Sequence, residues 1–151
     1  MAKKSLLNQD VQQACLDRIN KLTPASQPVW GKMNTAQMLA HCAEVAEVLN
    51  GKPLEGTPFM VKLFKGMIRK MVVNEKPYPQ NSRTHPQYVI AEAREFETEK
   101  ERMIAALVKL GSFTEAERRQ LNHPLFGTMT DEELGWSSYK HLDHHLVQFG
   151  V

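Results

Sequence analysis

Three of the six histidines in this sequence fall within five consecutive residues, His141-Leu142-Asp143-His144-His145. On a helix, residues four apart stand one above the other, so His141 and His145 can turn their rings toward one point. A divalent metal ion takes imidazole nitrogens at roughly 2.0–2.1 Å, and an i, i+4 pair suits that span. His144 lies about 100° from His145 around such a helix and reads as a flanking group. With six histidines in 151 residues, one i, i+4 pair also arises by chance, so the pair needs a third ligand to carry weight. His41 is the natural donor, because it sits on the apolar stripe of a separate helical segment. A lone histidine on such a face is more commonly a core residue satisfied by a hydrogen bond. The conjunction changes the weighing: two elements point histidines inward, where an unpaired imidazole is costly. The candidate ligands are therefore His41, His141 and His145. Three protein ligands leave a position for water or substrate, as in catalytic rather than structural sites. Imidazole donors suit zinc or nickel first, with iron and copper also compatible.

A metal centre of this kind needs groups that orient its ligands and accept a proton. Glu44 lies three residues after His41 and Gln37 four before it, so both flank the same helix face. Gln148 is three residues after His145. These three, with His144 and the loop residue His123, are the candidates for contacts behind the ligands. Each has an ordinary alternative: an exposed Glu44, a Gln37 that only caps its helix, a His123 that only shapes the turn before Pro124. Asp143 is two residues from each ligand histidine and should point away, toward the surface. Cys42 adjoins His41 but is rotated by one residue and has no neighbouring thiol, so a buried, inert cysteine is expected. No residue stands out as a catalytic acid, base or nucleophile.

The elements that must hold these residues follow from apolar periodicity and helix punctuation. Val11, Cys15, Ile19 and Leu22 predict a first helix over about 8–22, ended by Thr23-Pro24. Asn34 with Gln37 three residues on forms a capping-box pattern, with Met33 and Met38 as its hydrophobic staple. From there Met38, His41, Cys42, Val45, Val48 and Leu49 share one stripe, closed by Gly51 and Pro53. Between 58 and 73, Phe59, Leu63, Met67 and Met71 keep four-residue steps among Lys62, Lys65, Arg69 and Lys70. This basic segment can be a solvated face, attract an anionic cosubstrate or touch a membrane weakly. Its apolar positions favour packing onto the rest of the chain or onto a second subunit. Residues 74–87, with three prolines, predict loop. A long helix then runs to Leu110, with Gly111 as its C-terminal signal, and Thr114 with Glu117 caps a short turn. Thr130, Glu133 and the Met129–Leu134 pair open the last helix, which carries Ser138, His141, His145 and Gln148 along one line. Four principal helices and no convincing strand predict an all-α, four-helix bundle forming a single domain over 1–151.

The composition sets outer bounds. Hydrophobic residues at 42% and charged residues at 24% are ordinary for a globular chain. A net charge of +2 and only 7% aromatics argue against a nucleic-acid partner. Two cysteines make no disulfide framework and fit a reducing compartment. The first apolar run stops after Leu6-Leu7, too short for a secretory signal, and no window approaches the roughly 18 apolar residues of a membrane span. The expected setting is cytoplasmic, without stable membrane association.

The sequence also resembles a known group. Trp30-Gly31-Lys32-Met33-Asn34, Gln37-Met38-Leu39-Ala40-His41, Asn122-His123-Pro124-Leu125-Phe126-Gly127 and the run from Tyr139 to Phe149 are similar to the DinB/YfiT-like superfamily. More narrowly, they resemble one of its subfamilies without a known reaction. The similarity extends from about Leu22 to Phe149, and its most specific part is the C-terminal histidine cluster preceded by His123-Pro124 and Phe126-Gly127. It implies a four-helix bundle, often a homodimer, with a metal bound by one histidine of the second helix and two of the last. Those positions fall on His41, His141 and His145. It further implies a metalloenzyme acting on a small molecule. Characterised relatives are transferases and isomerases that use a low-molecular-weight thiol, namely bacillithiol, mycothiol or glutathione, while others are labelled hydrolases. Three readings stay open: a thiol-dependent S-transferase, a metal-dependent hydrolase, and a non-catalytic metal-binding or interaction module.

Overall fold

A computed structural model describes residues 3–151 and is all-helical, with no strand among the described residues. Its helices are α1 (Gln9–Asn20), α2 (Thr35–Leu49), α3 (Phe59–Leu63), α4 (Lys65–Val73), α5 (Phe96–Ser112), α6 (Glu115–Gln120) and α7 (Asp131–Gln148). One turn of 3-10 helix, Pro86–Tyr88, interrupts the link between α4 and α5. Local chemistry sets the starts. Asn34, Thr114 and Thr130 each accept a hydrogen bond from the third helical residue, while Gln37, Glu117 and Glu133 each accept one from the cap backbone. Each such box satisfies two N–H groups that the helix itself leaves open. The Glu95 carboxylate caps α5 in the same sense, accepting from the amides of Glu97 (3.1 Å) and Thr98 (2.7 Å).

The long helices α1, α2, α5 and α7 share one core. Ile19, Met38, Leu39, Met103, Leu107, Trp136, Leu142 and Leu146 are all buried in it. Helix α2 lies along α5 and also touches α7, and α1 rests on α5 and α7. Charged side chains tie the helices at their edges. The Arg102 guanidinium forks onto Glu47 (2.7 and 2.6 Å) and also reaches Glu44, joining α5 to α2. Arg18 donates to Asp143 at 2.7 Å, joining α1 to α7. Both cysteines are buried and free, and among the described residues no helix is long and apolar enough to cross a membrane.

Two expectations change. Helix α5 does not stop before Gly111 but passes through it to Ser112. The glycine serves packing there, because a Cβ would collide with the Gln12 amide, which donates to the Leu107 carbonyl at 2.8 Å. Helix α1 thereby approaches α5 closely. The 58–73 segment packs onto the rest of the chain through α4, by Ile68, Val72 and Val73 rather than by its four-residue stripe. It breaks at Phe64 into α3 and α4, and Phe59, Leu63, Met67 and Met71 are exposed.

The link between α4 and α5 is nonetheless well anchored. The Trp136 indole donates to the Asn74 carbonyl at 2.9 Å, and Lys140 Nζ donates to the carbonyls of Met71 (2.7 Å) and Asn74 (3.1 Å). The Gln87 amide donates to Glu44 (2.9 Å) and to the Pro53 carbonyl (3.0 Å). The link is thus strapped to α7 at its start and to α2 further on. That strap brings Tyr88 to the histidines.

Candidate metal centre

Helix α2 presents His41 and helix α7 presents His141 and His145, and the three rings form a nearly equilateral triangle. Ring centroids are 5.0 Å apart for His41–His141, 4.7 Å for His41–His145 and 4.9 Å for His141–His145. One nitrogen from each lies within 4.8 Å of the others. Two of the rings are fixed from behind. His41 Nδ1 lies 2.7 Å from the Tyr88 carbonyl oxygen, which can only accept, so Nδ1 carries the proton and Nε2 a lone pair. His145 Nδ1 lies 2.7 Å from Gln148 Oε1. The amide orientation of Gln148 follows from its other end, where Nε2 donates to the Trp30 carbonyl at 2.8 Å. Reversing the amide would set two oxygens against each other, so His145 Nδ1 is also the donor.

Those bonds leave the Nε2 atoms of His41 and His145 as free lone pairs. His41 Nε2 stands 3.0 Å from His141 Nε2. Two nitrogens on a tetrahedral ion with bonds of roughly 2.0–2.1 Å are separated by about 3.3 Å, so small ring rotations suffice to accept one. The electrostatics suit neutral ligands as well. Burial lowers the pKa of all three imidazoles, and each also feels a neighbouring histidine. For His145 burial, with His41 beside it, pushes the value down to about 3. All three are therefore neutral at pH 7, the form that binds metal. His41 and His145 are buried, whereas His141 is partly exposed, and no carboxylate belongs to the group.

The other candidates separate clearly. Gln148 is buried and locks His145 to the Trp30 carbonyl. Gly31 makes this possible: its φ of +86° suits glycine, and a Cβ there would sit 2.6 Å from Gln148 Nε2. His144 lies beside the cluster, its ring 5.1 Å from His145, 5.6 Å from Trp30 and 5.8 Å from Tyr78. Gln37 is spent elsewhere, closing its capping box and donating to the Glu92 carbonyl at 3.2 Å. Glu44 is buried rather than exposed, and it faces cations instead of the histidines. Burial alone would raise its pKa, but bonds from Lys52, Gln87 and Arg102 hold it below the usual carboxylate range. His123 shapes a turn: its Nδ1 accepts from the amides of Leu125 (3.1 Å) and Phe126 (3.2 Å). Asp143 points away from the cluster, as its spacing predicts, but into a salt bridge with Arg18 rather than into solvent. Cys42 faces the Met38 sulfur at 3.7 Å, and burial pushes its thiol pKa up, so it is inert.

Two contributors escape sequence reasoning. The Tyr88 carbonyl orients His41, and the Tyr78 ring stands edge-on to His141 (6.5 Å) and His144 (5.8 Å). A main-chain acceptor leaves no mark in residue type, and Tyr78 lies in a proline-rich link with no periodicity.

A family model described as "Protein of unknown function (DUF1569)" matches residues 1–150. No curated protein and no solved structure matches the chain.

Proposed function

We propose, for a chain that belongs to the DUF1569 family, that His41, His141 and His145 hold a divalent metal ion, zinc or nickel before iron, in a metal-dependent enzyme. One observation carries the reading. His41 and His145 are each fixed through Nδ1 by an acceptor, which leaves their Nε2 lone pairs for a ligand, and one nitrogen of each of the three rings lies within 4.8 Å of the others. A core histidine needs one partner; three neutral imidazoles gathered with no carboxylate in the group make a donor set that suits a cation. The architecture we assign is a DinB/YfiT-like four-helix bundle made by α1, α2, α5 and α7, with the ligands on two facing helices.

When bound, such an ion supplies a Lewis-acidic position that favours the deprotonated form of a thiol or a water. The chain's own residues do the rest. Tyr88 and Gln148 keep two ligands in register and in the correct tautomer. The absence of a carboxylate in the group keeps the full charge of the site available to an anion. The rings of Trp30 and Tyr78 flank His144 beside the cluster. We assign transfer of a low-molecular-weight thiol to this site, by resemblance to thiol-dependent transferases, with hydrolysis of a small ester or amide as the second reading.

Cobalt-substituted protein separates them. A sulfur-to-metal charge-transfer band on adding glutathione or bacillithiol supports thiol transfer. Turnover of an ester or amide without that band supports the hydrolase. Absence of both with the site filled leaves a non-catalytic metal-binding module.

A further inference from the structure

Among the described residues, six of the ten large apolar side chains that the fold leaves exposed lie on α3, α4 and the residue between them: Phe59, Met60, Leu63, Phe64, Met67 and Met71. Phe59 is 75% exposed and Met67 64%. A loosely attached helix does not explain this, because α4 is docked along its other side. Ile68, Val72 and Val73 are partly buried, Arg69 donates to Glu133 at 2.8 Å, and Lys140 and Trp136 grip the carbonyls at its end. Helix α4 therefore has a fixed inner side, α3 packs on α4, and the two share an apolar outer side with nothing on it. Exposed apolar surface concentrated in this way marks an interaction site.

The charges that the segment itself carries have one sign. Lys62, Lys65 and Lys70 are exposed, and no acidic residue occurs between Thr57 and Asn74. Four of the nineteen basic residues fall in this stretch, so the rest of the chain carries more acid than base. A second copy seated on the same patch would set lysines against lysines with no carboxylate of the segment to pair them, which opposes a symmetric dimer here. The complementary surface is apolar and negative together. At five and nine residues, α3 and α4 are far too short to span a bilayer, but suited to lie in its interface.

We propose that α3 and α4 dock this protein reversibly on an anionic membrane surface. Phe59, Met60, Leu63, Phe64 and Met67 enter the boundary between headgroups and acyl chains, and Lys62, Lys65 and Lys70 meet lipid phosphates. The proposal does not depend on the metal centre.

The test is sedimentation of the full chain with vesicles of phosphatidylcholine alone and of phosphatidylcholine mixed with phosphatidylglycerol. Binding is expected only to the mixed vesicles, with release at high salt. The Phe59→Ser/Met67→Ser variant should lose it, and Lys62→Gln and Lys65→Gln should each weaken it about fivefold. Val108→Ser, at an exposed apolar position elsewhere, should bind like the wild type. Unchanged helical circular dichroism of these surface variants shows that folding is not the cause. The proposal is overturned if the wild type stays unbound, if it binds neutral vesicles equally, or if Val108→Ser weakens binding as much as the patch variants. A dimer that Phe59→Ser/Met67→Ser dissociates, without vesicle binding, would assign the patch to a second copy instead.

Discussion

Replacing Gln148 by leucine probes the machinery behind the ligands without touching any of them. In the wild type the Gln148 side chain accepts from His145 Nδ1 at 2.7 Å and donates to the Trp30 carbonyl at 2.8 Å. Leucine fills similar volume but leaves both groups without their partner. Loss of an orienting contact to a metal-bound histidine typically costs 10–100-fold in affinity, about 1.4–2.8 kcal/mol. Each unsatisfied group costs roughly 1–3 kcal/mol of stability as well, with the His145 side, being buried, at the upper end. Gln148→Leu should therefore bind zinc about 10–100-fold more weakly while still binding it, and its metal-free form should melt earlier. Gln148→Glu should behave differently. Its carboxylate can still accept from His145, so affinity is retained, but an oxygen now faces the Trp30 carbonyl and stability falls. Competitive titration against a zinc chelator gives the affinities, and thermal melting of metal-free protein gives the stabilities. Wild-type affinity in Gln148→Leu would show that this bond does not organise the site. A loss as complete as that of His145→Ala would show that the substitution had dismantled the helix end rather than one contact.

The same geometry fixes further outcomes. His41→Ala, His141→Ala and His145→Ala should each greatly weaken metal binding, whereas His85→Ala should not, because His85 is outside the ligand group and its two ring nitrogens are engaged by Thr57 (2.9 Å) and the Gln87 amide (3.0 Å); His144→Ala should cost 10–100-fold or less. Metal affinity measured by equilibrium dialysis should fall steeply below about pH 6, since protons compete for the imidazoles. The metal-free fold has its own pH dependence. Burial depresses the histidine pKa values in the folded state, so their contribution is fully present above the unfolded value near 6.5 and drains away as pH falls toward about 3, which urea melts will detect. Thr130→Ala removes the cap of α7 and should cost about 1 kcal/mol, lowering the melting temperature by about 2–4 °C.

Much of this arrangement is legible in the residues themselves, and the reasons differ by element. Asn34 with Gln37 and Thr130 with Glu133 announce the starts of α2 and α7 because capping is local chemistry, decided within four residues. Fixing those starts fixes which face His41, His141 and His145 occupy, so the triangle follows from helical period. The supporting contacts are less visible. Gln148 is readable because it lies one turn from His145, but the Tyr88 and Trp30 carbonyls belong to links whose course depends on tertiary contacts. Glu44 has the right spacing to serve His41, yet Arg102 and Lys52 arrive from elsewhere in the chain and claim it. Gly111 looks like a helix stop and is a packing glycine, because the Gln12 side chain that needs its space comes from α1. The four-residue steps of Phe59, Leu63, Met67 and Met71 announce an apolar face correctly, but periodicity cannot say what that face meets.

The central claim is that three imidazoles converge on a cation. Elemental analysis of the full chain, purified without an affinity tag and without added metal, tests it most directly. One divalent ion per chain is expected, zinc, nickel or iron, together with its loss from His141→Ala that retains wild-type helicity. Protein that is metal-free as purified, and takes up none of these ions on dialysis at neutral pH, would contradict it, as would an unchanged metal content in His141→Ala.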